Sequence, residues 1–128
     1  MKERTKVFQL AGKAWRIDKV NALEGSNLLR MFTSAGNTNP QEFLAGMPSE
    51  QFQRIQIMLL TSAFRVENID GQDTYSPVLL PNGIVDKEAE DSGVLFMLTV
   101  IALMFNMSGF FAENTLKEFQ EVVKEFNV

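Results

Sequence analysis

VLFMLTVIALMF, residues Val94–Phe105, is the stretch that decides the fold, and Thr99 is its only polar member. A helix that is apolar on every side is buried all round, in a core, in an oligomer interface or in a membrane. Asn106 and Ser108 interrupt the apolar stretch soon after its end, and both flanks are acidic instead of carrying the cations that flank membrane spans. The sequence therefore predicts a central core helix and no membrane span.

The segments before this helix predict one hairpin and several helices. Apolar and polar residues alternate on both sides of a glycine-containing turn in residues 6–19, which is typical of a β-hairpin. Asn21 and Glu24 have the spacing of an N-terminal capping pair, so a helix is expected to follow through Phe32. A short helix is expected over residues 41–45. A longer helix is then expected from Ser49, on the spacing of the residues Phe52, Ile55, Leu59, Ser62 and Val66.

The segment between this longer helix and the apolar helix is expected to be mostly irregular. Residues 68–75 are polar and contain Asp70-Gly71, which predicts a turn. Residues 78–80 and 84–85 predict either a second small hairpin or a tucked loop, because prolines at 77 and 81 argue against a central strand. Residues 86–92 are acidic, which suits the beginning of a helix.

The chain ends in a predicted amphipathic helix over residues 115–126, with apolar and charged side chains on opposite faces. With a length of 128 residues, the chain has room for one domain, residues 1–128. The expected fold class is α+β and mainly α. It consists of an N-terminal β-hairpin, residues 6–19, followed by a small bundle of about four helices in residues 21–127.

The residue types argue against catalysis. The chain contains no cysteine and no histidine, which excludes disulfides, zinc fingers, thiol nucleophiles and imidazole bases. Ser26 and Ser108 therefore have no histidine partner for a serine triad. Glu67, Asp70 and Asp73 cluster in one turn, but the glutamate that would complete a calcium loop after the turn is missing. We predict that the protein is not an enzyme and that it holds no metal and no cofactor.

The charge balance argues against nucleic acid as a partner. The chain carries 12 basic and 16 acidic residues, a net charge of −4, and its basic residues are dispersed. Nucleic-acid binders usually carry a basic stripe, because phosphate neutralisation dominates their affinity. No apolar leader follows the first residues, and the lack of cysteine fits a reducing compartment. The expected location is the cytoplasm, with neither nucleic acid nor a membrane as partner.

Phenylalanine and methionine are abundant, at 11 and 7 residues, and many of them lie in the C-terminal third. Those within residues 96–105 are expected to fill the core. Met107, Phe110 and Phe111 lie beside Ser108-Gly109, where a bend would turn side chains away from the main helix. Because an exposed patch of this kind marks a protein-binding surface, we interpret these three residues as an interaction site.

The order of segments resembles a known family. KVFQLAGKAWRI (residues 6–17) precedes the capped helix NALEGSNLLRMF (residues 21–32), and SEQFQRIQIMLLTSAF (residues 49–64) follows. A polar turn, the long apolar helix and the tail FFAENTLKEFQEVV (residues 110–123) complete the order. This arrangement is similar to that of the small tail assembly chaperones of long-tailed bacteriophages, in particular phages of Gram-positive hosts.

The resemblance implies a non-enzymatic role in virion assembly. Such chaperones are small, acidic, helical and self-associating, and they coat the apolar tape-measure protein until tail-tube subunits replace them. The resemblance thus implies a tape-measure partner, contact with tail-tube subunits and a homo-oligomer. The family also commonly makes a longer product by ribosomal frameshifting near the end of the gene. Whether Val128 is the only C-terminus therefore stays open.

We expect the tape-measure helix to bind an apolar groove, held weakly enough to be displaced. The candidate groove residues, chosen by type and position, are Met107, Phe110, Phe111, Leu116 and Phe119. Two other classes remain open at this stage: a tail or head-tail structural subunit that stays in the particle, and a bacterial protein-binding adaptor module.

Overall fold

The computed structural model describes residues 4–36, 39–80, 83, 85–108, 118 and 121–125. Its strands form one antiparallel sheet of four strands in the order β1-β2-β3-β4. The strands are β1 (Thr5–Leu10), β2 (Lys13–Asp18), β3 (Ala63–Ile69) and β4 (Gln72–Pro77). The helices are α1 (Ala22–Ser34), α2 (Pro40–Ala45), α3 (Ser49–Leu60) and α4 (Ser92–Met107), and a 3₁₀ turn covers Lys87–Ala89.

The core lies between one face of the sheet and the helices. Trp15 and Ile17 of β2 and Ala63 of β3 point into it and are almost fully buried. The indole Nε1 of Trp15 donates a hydrogen bond of 2.9 Å to the carbonyl oxygen of Leu10, so this large ring is buried with its polar atom satisfied. The helices contribute mostly aliphatic side chains to the same cluster.

The N-terminal hairpin and the first helix agree with the sequence. β1 and β2 pair from Thr5↔Asp18 to Leu10↔Lys13, which leaves a two-residue turn at Ala11-Gly12. The capping pair is also present: Asn21 accepts a hydrogen bond of 2.9 Å from the backbone N–H of Glu24. Its side-chain amide donates to the carboxylate of Glu24 at 2.6 Å, so both halves of the cap are formed.

The expected fold class was wrong, because a second hairpin replaces part of the expected helical bundle. α3 ends at Leu60, and β3 begins only three residues later at Ala63. The spacing of Ser62 and Val66 matched the helix by coincidence, since these positions lie outside it. β3 then pairs with β2 and β4, so the N-terminal hairpin is one half of a four-stranded sheet.

A tight turn joins the two strands of this second hairpin. Ile69 pairs with Gln72, so Asp70 and Gly71 form a two-residue turn. Both turn residues have positive φ angles, 52° and 83°, which is the geometry that suits the right-handed twist of paired strands. Residues 68–75, expected as an irregular polar turn, are therefore strand ends around a tight turn.

An ion pair fastens the segment between β4 and α4 to the sheet. Leu79 and Val85 make an isolated antiparallel bridge, so the two apolar pieces do meet, although residues 81, 82 and 84 between them lie outside the described ranges. Arg65 of β3 binds Asp86 through Nε–Oδ2 at 2.9 Å and Nη2–Oδ1 at 3.3 Å. The hydrogen bonds that Arg65 donates to Asp86, and then to Glu67, raise the pKa of Arg65 above its ordinary value.

Residues 86–91, before α4, are irregular apart from the 3₁₀ turn. Asp86 caps the 3₁₀ turn, and α4 begins at Ser92 with Asp91 as its N-cap. At the other end of the chain, residues 121–125 are helical, as the sequence predicted for that region. Within the described ranges, none of the helices combines the length and the apolarity that crossing a bilayer requires.

We predict that Arg65 and Asp86 stabilise the fold as a coupled pair. Their side chains are only 12% and 11% exposed. Arg65→Met leaves the largely buried Asp86 carboxylate without its cation, at a cost on the order of 3 kcal/mol. Asp86→Asn should cost less, because Arg65 keeps its bond to Glu67. The double variant should lose less than the sum, and urea unfolding of the four proteins measures this coupling. Glu67→Gln, at the exposed partner of Arg65, should cost less than about 1 kcal/mol. Additive losses would show that the two charges do not interact.

Two glycine substitutions test the second hairpin. Gly71→Ala forces an L side chain into the left-handed region and should destabilise the protein by about 1–2 kcal/mol. Gly25→Ala, within α1, meets no atom closer than 3.9 Å, and it should stabilise the protein by about 0.5–1 kcal/mol. Thermal unfolding compares the two variants. A neutral Gly71→Ala would contradict the tight turn between β3 and β4.

Candidate protein-binding surface

α4 lies at the centre of the helical layer, and its sequence alone does not fix which side faces inward. No residue from Ser92 to Met107 is charged, and apolar side chains occur all round the helix. Its N-terminus is held by Asp91, whose carboxylate accepts hydrogen bonds from Gly93 and Val94 at 2.9 and 3.1 Å. This cap fixes where the helix begins but not its rotation about its own axis.

Two polar side chains fix that rotation. The hydroxyl of Thr99 is fully buried; it donates to the carbonyl of Leu95 at 2.8 Å and accepts from the side-chain amide of Gln56 on α3 at 3.2 Å. Asn106 accepts from the backbone N–H of Val20 at 2.8 Å and donates to the carbonyl of Ala102 at 2.8 Å. The bonds to Leu95 and Ala102 lie within α4, but rotating the helix would break the two bonds to Gln56 and Val20. Each buried group left without a partner costs roughly 1–3 kcal/mol.

With α4 held in this way, an uncharged face points outward. Met97 is 43% exposed and Met104 is 52% exposed. Val100 and Ile101 lie half-buried between them, and Gly93 and Ser108 are exposed at the two ends. We call these six positions the α4 face. It extends over 16 residues, roughly 22 Å of helix at 1.5 Å per residue.

Shallow grooves flank this face. One, of about 310 Å³, is lined by Gln41 of α2 and by Phe96, Met97, Val100 and Ile101 of α4. A second, of about 270 Å³, lies between α2 and α3 and reaches the same Phe96. The Phe96 ring, which lines both grooves, stacks on Phe52 with the ring centroids 6.1 Å apart. This contact holds Phe96 in place.

Among the described residues, charges lie near both ends of the α4 face. Glu90 and Asp91 precede its N-terminal end and are exposed. At the C-terminal end, the amino group of Lys19 lies 5.1 Å from the centroid of the Phe105 ring. The face is thus apolar along its length, acidic at one end and basic at the other. An apolar face that is uncharged over its whole length and flanked by grooves is suited to binding a second helix.

Only part of the site predicted from the sequence falls within the described residues. Met107 is 1% exposed and belongs to the core cluster, so in this structure its side chain is not available at the surface. Phe110, Phe111, Leu116 and Phe119 lie outside the described residues, and their role in binding stays a prediction.

Sequence reasoning missed Met97 and Met104, which it assigned to the core with the rest of residues 96–105. The structure buries the opposite side of α4 instead, including Leu98, Ala102 and Leu103. The only sequence signal for the exposed pair is their separation by seven residues, two helical turns, which places them on one side. That signal could not tell an outward side from an inward one on a uniformly apolar helix.

Two other surfaces are weaker candidates. On the outer face of the sheet, Val7 and Tyr75 are about half exposed. An ion pair crosses this face, because Arg16 lies over the Tyr75 ring at 4.9 Å and binds Asp18 at 3.0 Å. Hydrogen bonding to Asp18 raises the pKa of Arg16 above its ordinary value, so this charge persists at any physiological pH.

The other weaker candidate is a groove of about 320 Å³ between α3 and the 79–85 loop, where Ile57 is half exposed beside Leu80. The acidic turn around Asp70 forms no metal site with its neighbours Glu67 and Asp73. Glu67 binds Arg65, and Asp73 accepts a hydrogen bond from Asn68 at 3.2 Å. Across the part of the chain that the structure describes, no group of three or more acidic, histidine or cysteine side chains is placed to hold a metal ion.

Comparison with known proteins finds no relative of this chain. No protein-family model matches the chain, and no curated protein and no solved structure matches it at a significant level.

Proposed function

We propose that this protein is a non-enzymatic chaperone that binds an apolar helix of a client protein on the α4 face. The observation that carries the proposal is the exposure of Met97 and Met104 on a helix without a single charge. Two large apolar side chains left in water, on a helix whose inward side is fully buried, provide a surface ready for a partner.

The chemistry of the face suits a client with a varied apolar stripe. Methionine side chains are flexible and polarizable, so they can pack against partner side chains of different shapes. The face spans roughly 22 Å, which matches about four turns of a client helix. The stacked aromatic pair Phe52–Phe96 beside the face offers an apolar surface against which a client side chain can pack.

The client we propose is the tape-measure protein of a long-tailed phage, in line with the resemblance in segment order. A long tape-measure helix exposes apolar stripes that aggregate before the tail tube encloses them. Binding on one helix face covers such a stripe with a small contact area, so tail-tube subunits can displace the chaperone during polymerisation. The net charge of −4 keeps the chaperone–client complex dispersed.

The same proposal places the protein in the host-cell cytoplasm during phage assembly, working without cofactor or metal. It also separates the chaperone from a tail or head-tail subunit. A chaperone leaves before the particle is complete, whereas a subunit remains in it and would be found in purified virions.

The substitution that tests the proposal is Met97→Glu combined with Met104→Glu. Both side chains are exposed, so the variant should keep its circular dichroism spectrum and melt within a few degrees of the wild type. The two new carboxylates would oppose client binding, since an unpaired charge in an apolar contact is strongly unfavourable. Co-expression with a tape-measure fragment should then yield an insoluble fragment, as measured by pull-down from the soluble fraction.

The matched control is Leu23→Glu, which makes the same chemical change at a helical position that is 86% exposed on α1. This variant should keep the client soluble. If the α4 variant is folded and still holds the client, the proposal fails. In that case Phe110→Ser with Phe111→Ser shows whether the residues predicted from the sequence form the binding surface instead.

A further inference from the structure

We propose that, in the absence of a client, the α4 face is covered by a second copy of this chain in antiparallel orientation. The resulting dimer contact occupies the client site, so a client helix must displace the second copy to bind. The displacement step depends on the proposed function, whereas the pairing of α4 with α4 does not.

The side chains along the face follow a symmetric order. It reads small, methionine, branched, branched, methionine, small, at positions 93, 97, 100, 101, 104 and 108. The order is the same from either end, because positions 93 and 108, 97 and 104, and 100 and 101 are equally far from the midpoint. A two-fold axis through that midpoint brings each side chain against its counterpart of the same kind.

The contacts that follow from this symmetry are favourable. Met97 of one copy lies against Met104 of the other, and Val100 lies against Ile101 at the axis. Gly93 and Ser108 are small and leave room at the ends for the helices to approach. The groove of about 310 Å³ beside Met97 offers space for the Met104 side chain of the second copy, as a knob enters a hole between packed helices.

The charges at the two ends of the face are complementary. Glu90 and Asp91 lie at the N-terminal end of the face, and Lys19 lies beside Phe105 at the C-terminal end. Antiparallel pairing brings the acidic end of each copy to the basic end of the other, and it also opposes the two helix dipoles favourably. Parallel pairing would instead bring like charges together. Along the face itself nothing is charged, so the net charge of −4 on each chain acts only at a distance.

The contact area sets the strength of this dimer. A single pair of helix faces buries less than the roughly 1,200 Å² of a standard interface, which is typical of weak and reversible association. A dissociation constant in roughly the micromolar range is therefore expected. Such a dimer protects the exposed methionines in the free protein and yields to a client helix that makes more contacts.

Sedimentation equilibrium of the purified chain, from about 1 µM to 1 mM, measures the association. The wild type should form a dimer, and Met97→Glu or Met104→Lys alone should raise the dissociation constant by at least roughly tenfold. Leu23→Glu should leave it unchanged. An equimolar mixture of the Met97→Glu and Met104→Lys chains should form heterodimers, because antiparallel pairing brings the new glutamate against the new lysine.

A monomeric wild type at about 1 mM would overturn the proposal, as would single variants that associate like the wild type. A mixture that stays monomeric, with each variant folded by circular dichroism, would overturn the antiparallel arrangement.

A second measurement avoids charged variants. The chain has no cysteine, so Met97→Cys and Met104→Cys introduce single thiols. Oxidised by diamide, the two variants should cross-link faster when mixed than either does alone, because antiparallel pairing places position 97 against position 104. Equal or faster cross-linking of each variant with itself would overturn the arrangement. Dimerisation without client binding would contradict only the proposed function, and client binding by a strict monomer would contradict only this inference.

Discussion

The hydrogen bonds of Asn106 and Thr99 are the interactions on which the remainder of the structure depends. A helix as uniformly apolar as α4 has little preference for one side, and hydrophobic burial, which has no direction, does not supply one. The contact between Asn106 and the backbone of Val20 joins the helix to the end of β2, and the contact between Thr99 and Gln56 joins it to α3. Together they decide which apolar side chains are buried and which are exposed.

As a consequence, one side of α4 stabilises the core and the other side is free to bind a partner. Leu98, Ala102 and Leu103 are completely buried and form part of the core with Trp15. The opposite side leaves Met97 and Met104 half exposed, at a cost in solubility that a purely structural helix would avoid with polar residues. The flanking grooves and the Phe52–Phe96 stack make this side a shaped surface, and the same surface serves either a client helix or a second copy.

Features that depend on local sequence signals could be predicted, and features that depend on distant contacts could not. The N-terminal hairpin, the Asn21–Glu24 cap and the position of α4 could be predicted, because turn, cap and apolar stretch are local. The second hairpin could not be found in the same way, since the spacing of Phe52, Ile55 and Leu59 continued by coincidence to Val66 beyond the end of the helix. Asp70-Gly71 did carry a hairpin signal, which the polar residues around it obscured.

The outward side of α4 was beyond the reach of sequence reasoning for another reason. Met97, Met104 and Met107 have the same residue type on one helix, and only contacts with residues far away in the chain separate them. Val20 and Asn106 are 86 positions apart, and no local pattern connects them. Phe110, Phe111, Leu116 and Phe119 could be proposed from residue type alone, and their part in binding remains a prediction.

Oxidation of the individual methionines tests the central claim, the orientation of α4, most directly. Dilute hydrogen peroxide converts accessible methionine to its sulfoxide, and peptide mass spectrometry follows each residue separately. At protein concentrations low enough to keep the chain monomeric, Met97 and Met104 should oxidise much faster than Met107, which is 1% exposed. Oxidation of Met107 as fast as the other two, in folded protein, would show that α4 does not present this face and would contradict the account.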